Sequence, residues 1–154
     1  MELADILVAD AVSTLQNVSS KKRLLQNISE QAEALSGLSQ QKVFEALQER
    51  ELLGATGMGK GIAVPHARMA DVDCVIGFFT RLDEAIDFDS VDRRPVDLVF
   101  TLLAPEDAGA DHLKALARVS RTLRDEATCR KLRSTDDVSA IYAILTDVSA
   151  SKAA

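Results

Sequence analysis

Two predominantly apolar runs, residues 74–79 and 96–103, constrain the fold of this chain more than any other feature of its sequence. A strand that is apolar on both faces lies in the interior of a sheet that is covered on both sides. Between and around these runs, apolar residues recur at the spacing of helices. Strands that alternate with helices predict an α/β fold, with a mixed, mostly parallel sheet of about five strands sandwiched between helices.

Capping residues mark the predicted helices. Ser20 precedes the first helical pattern, which runs to residue 36, and Gly37 follows it. Ser39 precedes a second helical pattern that continues to about residue 52. Further strands are expected at 61–64 and, at the edge of the sheet, 85–89. The remaining predicted helices are 111–123, 126–133 and 136–147.

Length and composition limit the class of protein. A chain of 154 residues that is 47% hydrophobic is predicted to form a single domain, 1–154, with a core of about 5–147 and a tail at 149–154. A net charge of −6 argues against nucleic-acid binding, which requires clustered lysine and arginine. No apolar stretch approaches the ~18 residues that span a bilayer, and the N-terminus lacks a basic leader. We therefore expect a cytoplasmic protein without membrane insertion.

The two cysteines and two histidines are too few and too far apart to predict a metal site or a redox motif. Cys74 is expected to pack as a small hydrophobic residue within a strand, and Cys129 within a helix. No cofactor is expected. A metal-dependent hydrolase is therefore a poor candidate function.

The glycine-rich segment 54–61 partly matches the phosphate-binding loop of nucleotide hydrolases, because Gly59 and Lys60 follow Gly54 at the required spacing. The match then fails, since Gly61 stands where that loop needs a hydroxyl for Mg²⁺. That loop also follows a strand and opens a helix, whereas here a helix precedes and a strand follows. We predict a glycine-rich loop that turns sharply, and a tight turn without a ligand is the alternative interpretation.

The two histidines are the candidate reactive groups. Pro65 is expected to end the strand 61–64, which places His66 on a fixed corner just past a strand end. His112 follows Asp111, which is expected to cap a helix, so His112 falls in the first turn of that helix, where anions are favoured. Ligands of open α/β sheets gather at the carboxyl ends of the strands. Two imidazoles at that edge can share one phosphate, one as nucleophile and the other as hydrogen-bond donor.

Two further side chains are candidates for binding phosphoryl oxygens. Arg50 falls in the last turn of the second helix, just before the glycine-rich loop, and a guanidinium can clamp two oxygens at once. The alternative is a surface arginine paired with Glu49 or Glu51. Thr56 can add a hydroxyl donor from the loop, with ordinary turn chemistry as the alternative.

Taken together, the glycine-rich segment, Arg50, Thr56 and the two histidines resemble the pattern of a known family. This family is the enzyme IIA domains of the mannitol/fructose class in the bacterial phosphoenolpyruvate-dependent phosphotransferase system. The segments 86–89, 95–100 and 103–109 resemble its nitrogen-regulatory branch in particular. A second block at 111–117 matches the family's second histidine block, and the resemblance covers roughly residues 5–147. The active-site signature of the family is matched by the string Arg50-Glu51-x-x-Gly54-x-Thr56-Gly57-x-Gly59-x-Gly61-x-Ala63-x-Pro65-His66.

The resemblance implies a phosphocarrier. His66 would be phosphorylated by a histidine-phosphorylated carrier of the HPr type, with His112 and Arg50 supporting the phosphoryl group. Thr56 and the backbone near the glycine loop, at Gly57, would complete the phosphate site. The resemblance also implies regulatory targets, such as potassium-transport proteins or sensor kinases, bound according to phosphorylation state. The alternatives are a sugar-specific component that passes phosphate to a separate IIB protein and an interaction module that has lost its chemistry.

Overall fold

The computed structural model describes residues 1–147, so the predicted tail at 149–154 lies outside the described residues. Two short 3-10 turns, Leu3–Asp5 and Ala9–Ala11, come first. The strands are β1 (Val12–Leu15), β2 (Gly57–Gly59), β3 (Ile62–Ala63), β4 (His66–Met69), β5 (Ile76–Ile86) and β6 (Val96–Pro105). The helices are α1 (Lys21–Ser36), α2 (Gln40–Leu52), α3 (Gly109–Arg124), α4 (Glu126–Arg133) and α5 (Val138–Thr146).

One six-stranded sheet, in the order β1-β5-β6-β3-β2, organises the described residues. The fourth strand, β4, also pairs with β6, beyond β3 along the same edge. The pairs β1–β5, β3–β6 and β4–β6 are parallel, whereas β5–β6 and β2–β3 are antiparallel. The predicted α/β fold with a mixed, mostly parallel sheet is confirmed, with six strands where about five were expected.

The two apolar runs form the centre of the sheet, as predicted. Phe79 of β5 and Phe100 of β6 are paired in register, fully buried, and in ring contact at 6.1 Å between centroids. Burial of each such ring removes apolar surface from water and contributes on the order of 2 kcal/mol. The long β6 supports both β3 and β4 on one edge, and it therefore sets the positions of the residues that follow the glycine-rich segment.

Helix α1 is capped as predicted, since Ser20 Oγ accepts from Arg23 N at 3.1 Å and Gly37 takes a left-handed conformation at φ 75°. Ser39 Oγ caps α2 by accepting from Lys42 N at 3.3 Å. Helix α1 packs on α2 and contacts β5, and α2 contacts β4. Helix α3 contacts β6, α4 packs on α3, and α5 packs on α4. No helix within residues 1–147 combines the length and the apolar character needed to cross a membrane.

The third helix corrects one prediction. Helix α3 begins at Gly109, with Ala108 at the N-cap and no side-chain capping bond, so Asp111 is not the cap. The N-cap therefore lies three residues earlier than the predicted cap. Asp111 instead lies in the first turn, where a carboxylate is favoured by the helix dipole.

Three strand predictions are also corrected. Cys74 is exposed and precedes β5, which begins only at Ile76. The separate strand expected at 85–89 does not form, because β5 continues to Ile86. Strand β1 was missed, since only one of its four residues is buried and it gives no apolar run. Cys129 is buried in α4, as predicted.

The predicted glycine-rich loop contains a β-hairpin, because β2 pairs with β3 around a turn. Gly59, Lys60 and Gly61 in that turn have positive φ values of 91°, 58° and 82°. Glycine adopts such values without strain, which accounts for the residue type at 59 and 61. A Cβ on Gly61 would also lie 2.6 Å from Arg133 Nη2. The geometry of the hairpin turn is therefore sufficient to explain the glycines at 59 and 61, whether or not a phosphate binds there.

The strand expected at 61–64 is shorter than predicted, because β3 comprises only Ile62–Ala63. Pro65 interrupts the pairing, but its carbonyl accepts from Leu102 N at 2.9 Å, and the chain resumes on β6 as β4. His66 is therefore the first residue of a strand and does not lie past a strand end. The alternation of β4 then places residue 68 on the same face as His66.

Candidate functional site

His66 lies at the start of β4 with its ring held in one orientation. Its Nδ1 lies 2.8 Å from the carbonyl oxygen of Val64, two residues earlier. A carbonyl only accepts hydrogen bonds, so Nδ1 carries the ring proton and donates it. The other nitrogen, Nε2, consequently keeps its lone pair. The ring is only partly buried, which leaves it accessible to a reacting group.

His112 lies beside His66, in the first turn of α3. The two ring centroids are 5.4 Å apart and the rings meet edge to face at 75°. Arg68 Nε donates to His112 Nδ1 at 3.1 Å. Since Nδ1 accepts, the proton of a neutral His112 ring is on Nε2. That Nε2 is buried and has no hydrogen-bond partner among the described residues, which is costly unless a ligand supplies one.

The environment keeps both imidazoles neutral at neutral pH. Burial lowers the pKa of His66 below 6.5; the hydrogen bond to Val64 opposes this shift, while the charges of Arg50 and Arg68 add to it. Burial likewise lowers the pKa of His112 to about 4, assisted by His66 and Arg68. A neutral His66 has the lone pair that a nucleophile needs, and a neutral His112 keeps a single N–H donor.

The lowered pKa of His112 predicts an acid-dependent loss of stability. Between pH 6.5 and about 4 the unfolded chain binds a proton at His112 that the folded protein does not, so stability falls as the pH falls. We expect wild type to lose about 2 kcal/mol more unfolding free energy than His112→Gln between pH 7 and 4.5. Urea denaturation at several pH values measures this difference. Parallel stability curves for the two proteins would contradict the expectation.

Arg50 lies at the end of α2, close enough to His66 for its charge to lower the pKa of that ring. It lies in the last turn, as predicted, and its Nη1 donates to the carbonyl oxygen of Gly54 at 2.9 Å. The guanidinium thus folds over the start of the glycine-rich segment. None of the ion pairs formed within residues 1–147 joins Arg50 to Glu49 or Glu51, so the surface pairing considered from the sequence does not form.

Glu51 links α2 to the site through a chain of hydrogen bonds. Its carboxylate accepts from Thr56 N at 3.0 Å and from the Thr56 hydroxyl, and it pairs with Lys21 Nζ at 2.9 Å. The carbonyl of Thr56 accepts from Val64 N at 3.1 Å, and the Val64 carbonyl holds His66. Both Thr56 donors are therefore used within the protein, and their predicted role in phosphate binding stays a prediction.

Gly57, the other predicted phosphate-binding residue, begins β2 and is buried. A Cβ built on it would lie 2.2 Å from Ser90 Oγ, so the close approach of Ser90 requires glycine there. The structure places Gly57 next to Thr56, opposite Ala63 in the hairpin. Its predicted contact with phosphate also remains a prediction.

The sequence assigned no orienting role to Glu51, although the signature contains it, and none to Arg68; in the structure both hold neighbouring groups of the site in place. The signal for Glu51 was its position four residues after Leu47 and eight after Val43, both buried, which puts a carboxylate in the apolar stripe of α2. The signal for Arg68 was its two-residue spacing from His66. That spacing has meaning only in a strand, and the predicted strand ended at Pro65.

The α/β sheet thus brings together a partly buried histidine, a buried imidazole with an unpartnered nitrogen and an arginine whose charge acts on the first ring. Comparison with known proteins identifies the class: residues 5–148 match the family described as the phosphoenolpyruvate-dependent sugar phosphotransferase system, EIIA 2. The chain belongs to this family, as the resemblance predicted.

Similar proteins place the chain in the nitrogen-regulatory branch. A nitrogen regulatory protein of Bradyrhizobium diazoefficiens is 47% identical over 145 residues, which cover 94% of this chain and 95% of that protein. The crystal structure of nitrogen regulatory protein IIA-Ntr from Neisseria meningitidis has a TM-score of 0.87 at 38% identity, covering 94% of this chain and 99% of that one. IIA mannitol from Escherichia coli shares the fold, at a TM-score of 0.75 and 23% identity, covering 90% of this chain and 97% of that one.

Proposed function

We propose that this protein is a phosphocarrier that accepts a phosphoryl group on Nε2 of His66 from the phosphohistidine of an HPr-type carrier. One observation carries the proposal: His66 has its proton fixed on Nδ1, and a buried, unpartnered N–H of His112 lies beside it. Such a pair offers one nucleophilic lone pair and one donor for a phosphoryl oxygen. Membership in a phosphotransferase-system family supports the same chemistry.

In the proposed transfer, the lone pair on Nε2 of His66 attacks phosphorus while the P–N bond to the carrier's histidine breaks. The phosphoryl group passes through a loose transition state, so positioning and charge stabilisation supply most of the catalysis. The His66 ring gains positive charge as the new bond forms. The Val64 carbonyl, which accepts from Nδ1–H, stabilises that charge. Because one P–N bond replaces another, the step is close to balanced and reversible.

The oxygens of the phosphoryl group need donors and positive charge. We assign these roles to the Nε2–H of His112 and the guanidinium of Arg50, which lies close enough for its charge to lower the pKa of His66. Thr56 and Gly57 are proposed to line the site through the backbone of the hairpin. The Thr56 hydroxyl is less suited to binding oxygens because Glu51 already accepts from it.

The proposed outcome of phosphorylation is a signal. A phosphoryl group adds about two negative charges, which changes how an exposed surface docks on a partner. The similar proteins named nitrogen regulatory protein favour a regulatory role over passage to a sugar-specific IIB protein. We propose the cytoplasm as its location and proteins such as potassium transporters or sensor kinases as targets. If phosphorylated and unphosphorylated forms retained the same proteins from a lysate of the source cells, the signalling role would be wrong.

Phosphoryl acceptance is tested by mixing the protein with phosphoenolpyruvate, enzyme I and an HPr-type carrier and measuring its intact mass over time. We expect one acid-labile phosphate on the wild type. His112→Gln and Arg50→Met should each slow labelling by about 100-fold, because each removes a group that stabilises transition-state charge. Arg130→Met, which removes an exposed arginine of α4, is the matched control and should label at the wild-type rate. An unlabelled wild type with a verified donor would overturn the proposed function.

A further inference from the structure

The tautomer of His112 matters to the proposed function because a neutral imidazole has only one N–H to offer. With its pKa at about 4, His112 is neutral at neutral pH, so its proton resides on either Nδ1 or Nε2. Only the Nε2–H form leaves the buried, unpartnered nitrogen as a donor. A proton on Nδ1 would instead leave a bare lone pair in the site, which would repel the oxygens of a phosphoryl group.

The contact with Arg68 determines which tautomer forms. Arg68 Nε lies 3.1 Å from His112 Nδ1, and a guanidinium can only donate. A proton on Nδ1 would put two donors face to face at hydrogen-bond distance. The hydrogen bond therefore selects Nε2–H and also fixes the angle of the ring. Because Arg68 is two residues after His66 on β4, one short strand orients both the nucleophile and its neighbour.

We propose that Arg68 is a positioning residue for phosphoryl transfer: by donating to Nδ1 of His112, it holds the Nε2–H of that ring ready for a phosphoryl oxygen. This inference rests on the proposed function and deepens it. It assigns to Arg68 a task that differs from that of Arg50. Arg50 acts directly on the phosphoryl group, whereas Arg68 acts through His112. The effect of removing Arg68 on the transfer rate should therefore depend on the presence of His112, whereas the effect of removing Arg50 should not.

The first test reads the tautomer in the unphosphorylated protein, without any transfer chemistry. Long-range ¹H–¹⁵N spectra of the imidazole rings are simple here, since the chain contains two histidines. We expect His112 of the wild type to show one tautomer, with its proton on Nε2. In Arg68→Met both ring nitrogens should shift to intermediate values, which report a mixture of tautomers. A proton on Nδ1 in the wild type, or an unchanged His112 spectrum in Arg68→Met, would overturn the inference.

The second test is a double-mutant cycle on the rate of phosphoryl transfer. Arg68→Met should slow transfer about tenfold in the wild type, the effect of losing about one hydrogen bond in the transition state. In the His112→Gln background the same change should alter the rate less than twofold. A tenfold loss in both backgrounds would mean that Arg68 contacts the phosphoryl group itself, and the inference would be wrong.

A matched control separates the hydrogen bond from a general loss of positive charge. Arg121 is an exposed arginine in the last turn of α3, the helix that carries His112. It lies nine residues, or about 13 Å along the helix axis, from His112. Arg121→Met should change neither the ring spectrum nor the rate. If the wild type accepts no phosphoryl group, the proposed function fails, while the ring spectra still decide whether Arg68 sets the tautomer of His112.

Discussion

Replacing His66 with glutamine is expected to abolish phosphoryl acceptance and to leave the fold intact. Glutamine has no nucleophilic ring nitrogen, so no P–N bond can form at this position. The side chain is partly exposed and makes one hydrogen bond, to the Val64 carbonyl, so its replacement should cost less than about 1 kcal/mol of stability. Intact mass after incubation with the carrier system and a urea denaturation curve measure the two effects.

The matched control for this prediction is His112→Gln, which changes the other histidine of the chain in the same way. We expect it to label slowly but completely, because it loses a donor and keeps the acceptor. Full labelling of His66→Gln would place the phosphate elsewhere. That result would contradict the assignment of His66 as the nucleophile.

The largest effect on stability is expected for Glu51→Ala, with a loss of about 3 kcal/mol of unfolding free energy. Glu51 is buried, and its removal takes from Lys21, with 18% of its side chain exposed, the carboxylate at 2.9 Å and leaves it the exposed Asp89 at 3.7 Å. The same change strips the acceptors from the amide and the hydroxyl of buried Thr56. Urea denaturation near pH 7 measures the loss.

Glu49→Ala is the control, because it removes a neighbouring, exposed carboxylate from the same helix and should change stability by about 0.5 kcal/mol at most. A double variant, Lys21→Met with Glu51→Leu, should recover part of the loss, since a buried ion pair can be replaced by apolar residues of similar size. A loss below about 1 kcal/mol in Glu51→Ala would contradict the role assigned to this carboxylate.

Local chemistry explains what could be predicted from the sequence. Ser20, Gly37 and Ser39 act within one turn of their own helix, and their predicted roles as caps are confirmed. The two apolar runs predicted β5 and β6 because a strand buried on both faces can be recognised from its own apolar residues, without knowing which strands pair with it. The first turn of α3 placed His112 correctly even though the capping residue was wrong.

Features that depend on residues distant in sequence could not be predicted in the same way. Strand β1 is defined by pairing with β5, some 67 residues later, and its own residues give no periodic signal. Strand β4 exists because β6 extends beyond the residues that pair with β3. The shared face of His66 and Arg68 therefore depends on pairing with residues 36 positions later in the chain. The sequence indicated the candidate side chains of the site, but the residues that orient them, Glu51 and Arg68, appeared only with the tertiary structure.

The most direct test of the central claim is the ring ¹H–¹⁵N spectrum of the phosphorylated wild type. The hydrogen bond from Nδ1 to the Val64 carbonyl leaves Nε2 of His66 as the available nucleophile. We therefore expect ¹⁵N–³¹P coupling at Nε2 of His66, while the proton on Nδ1 stays hydrogen-bonded to the Val64 carbonyl. Phosphorus coupled to Nδ1 of His66, or to either nitrogen of His112, would contradict the account.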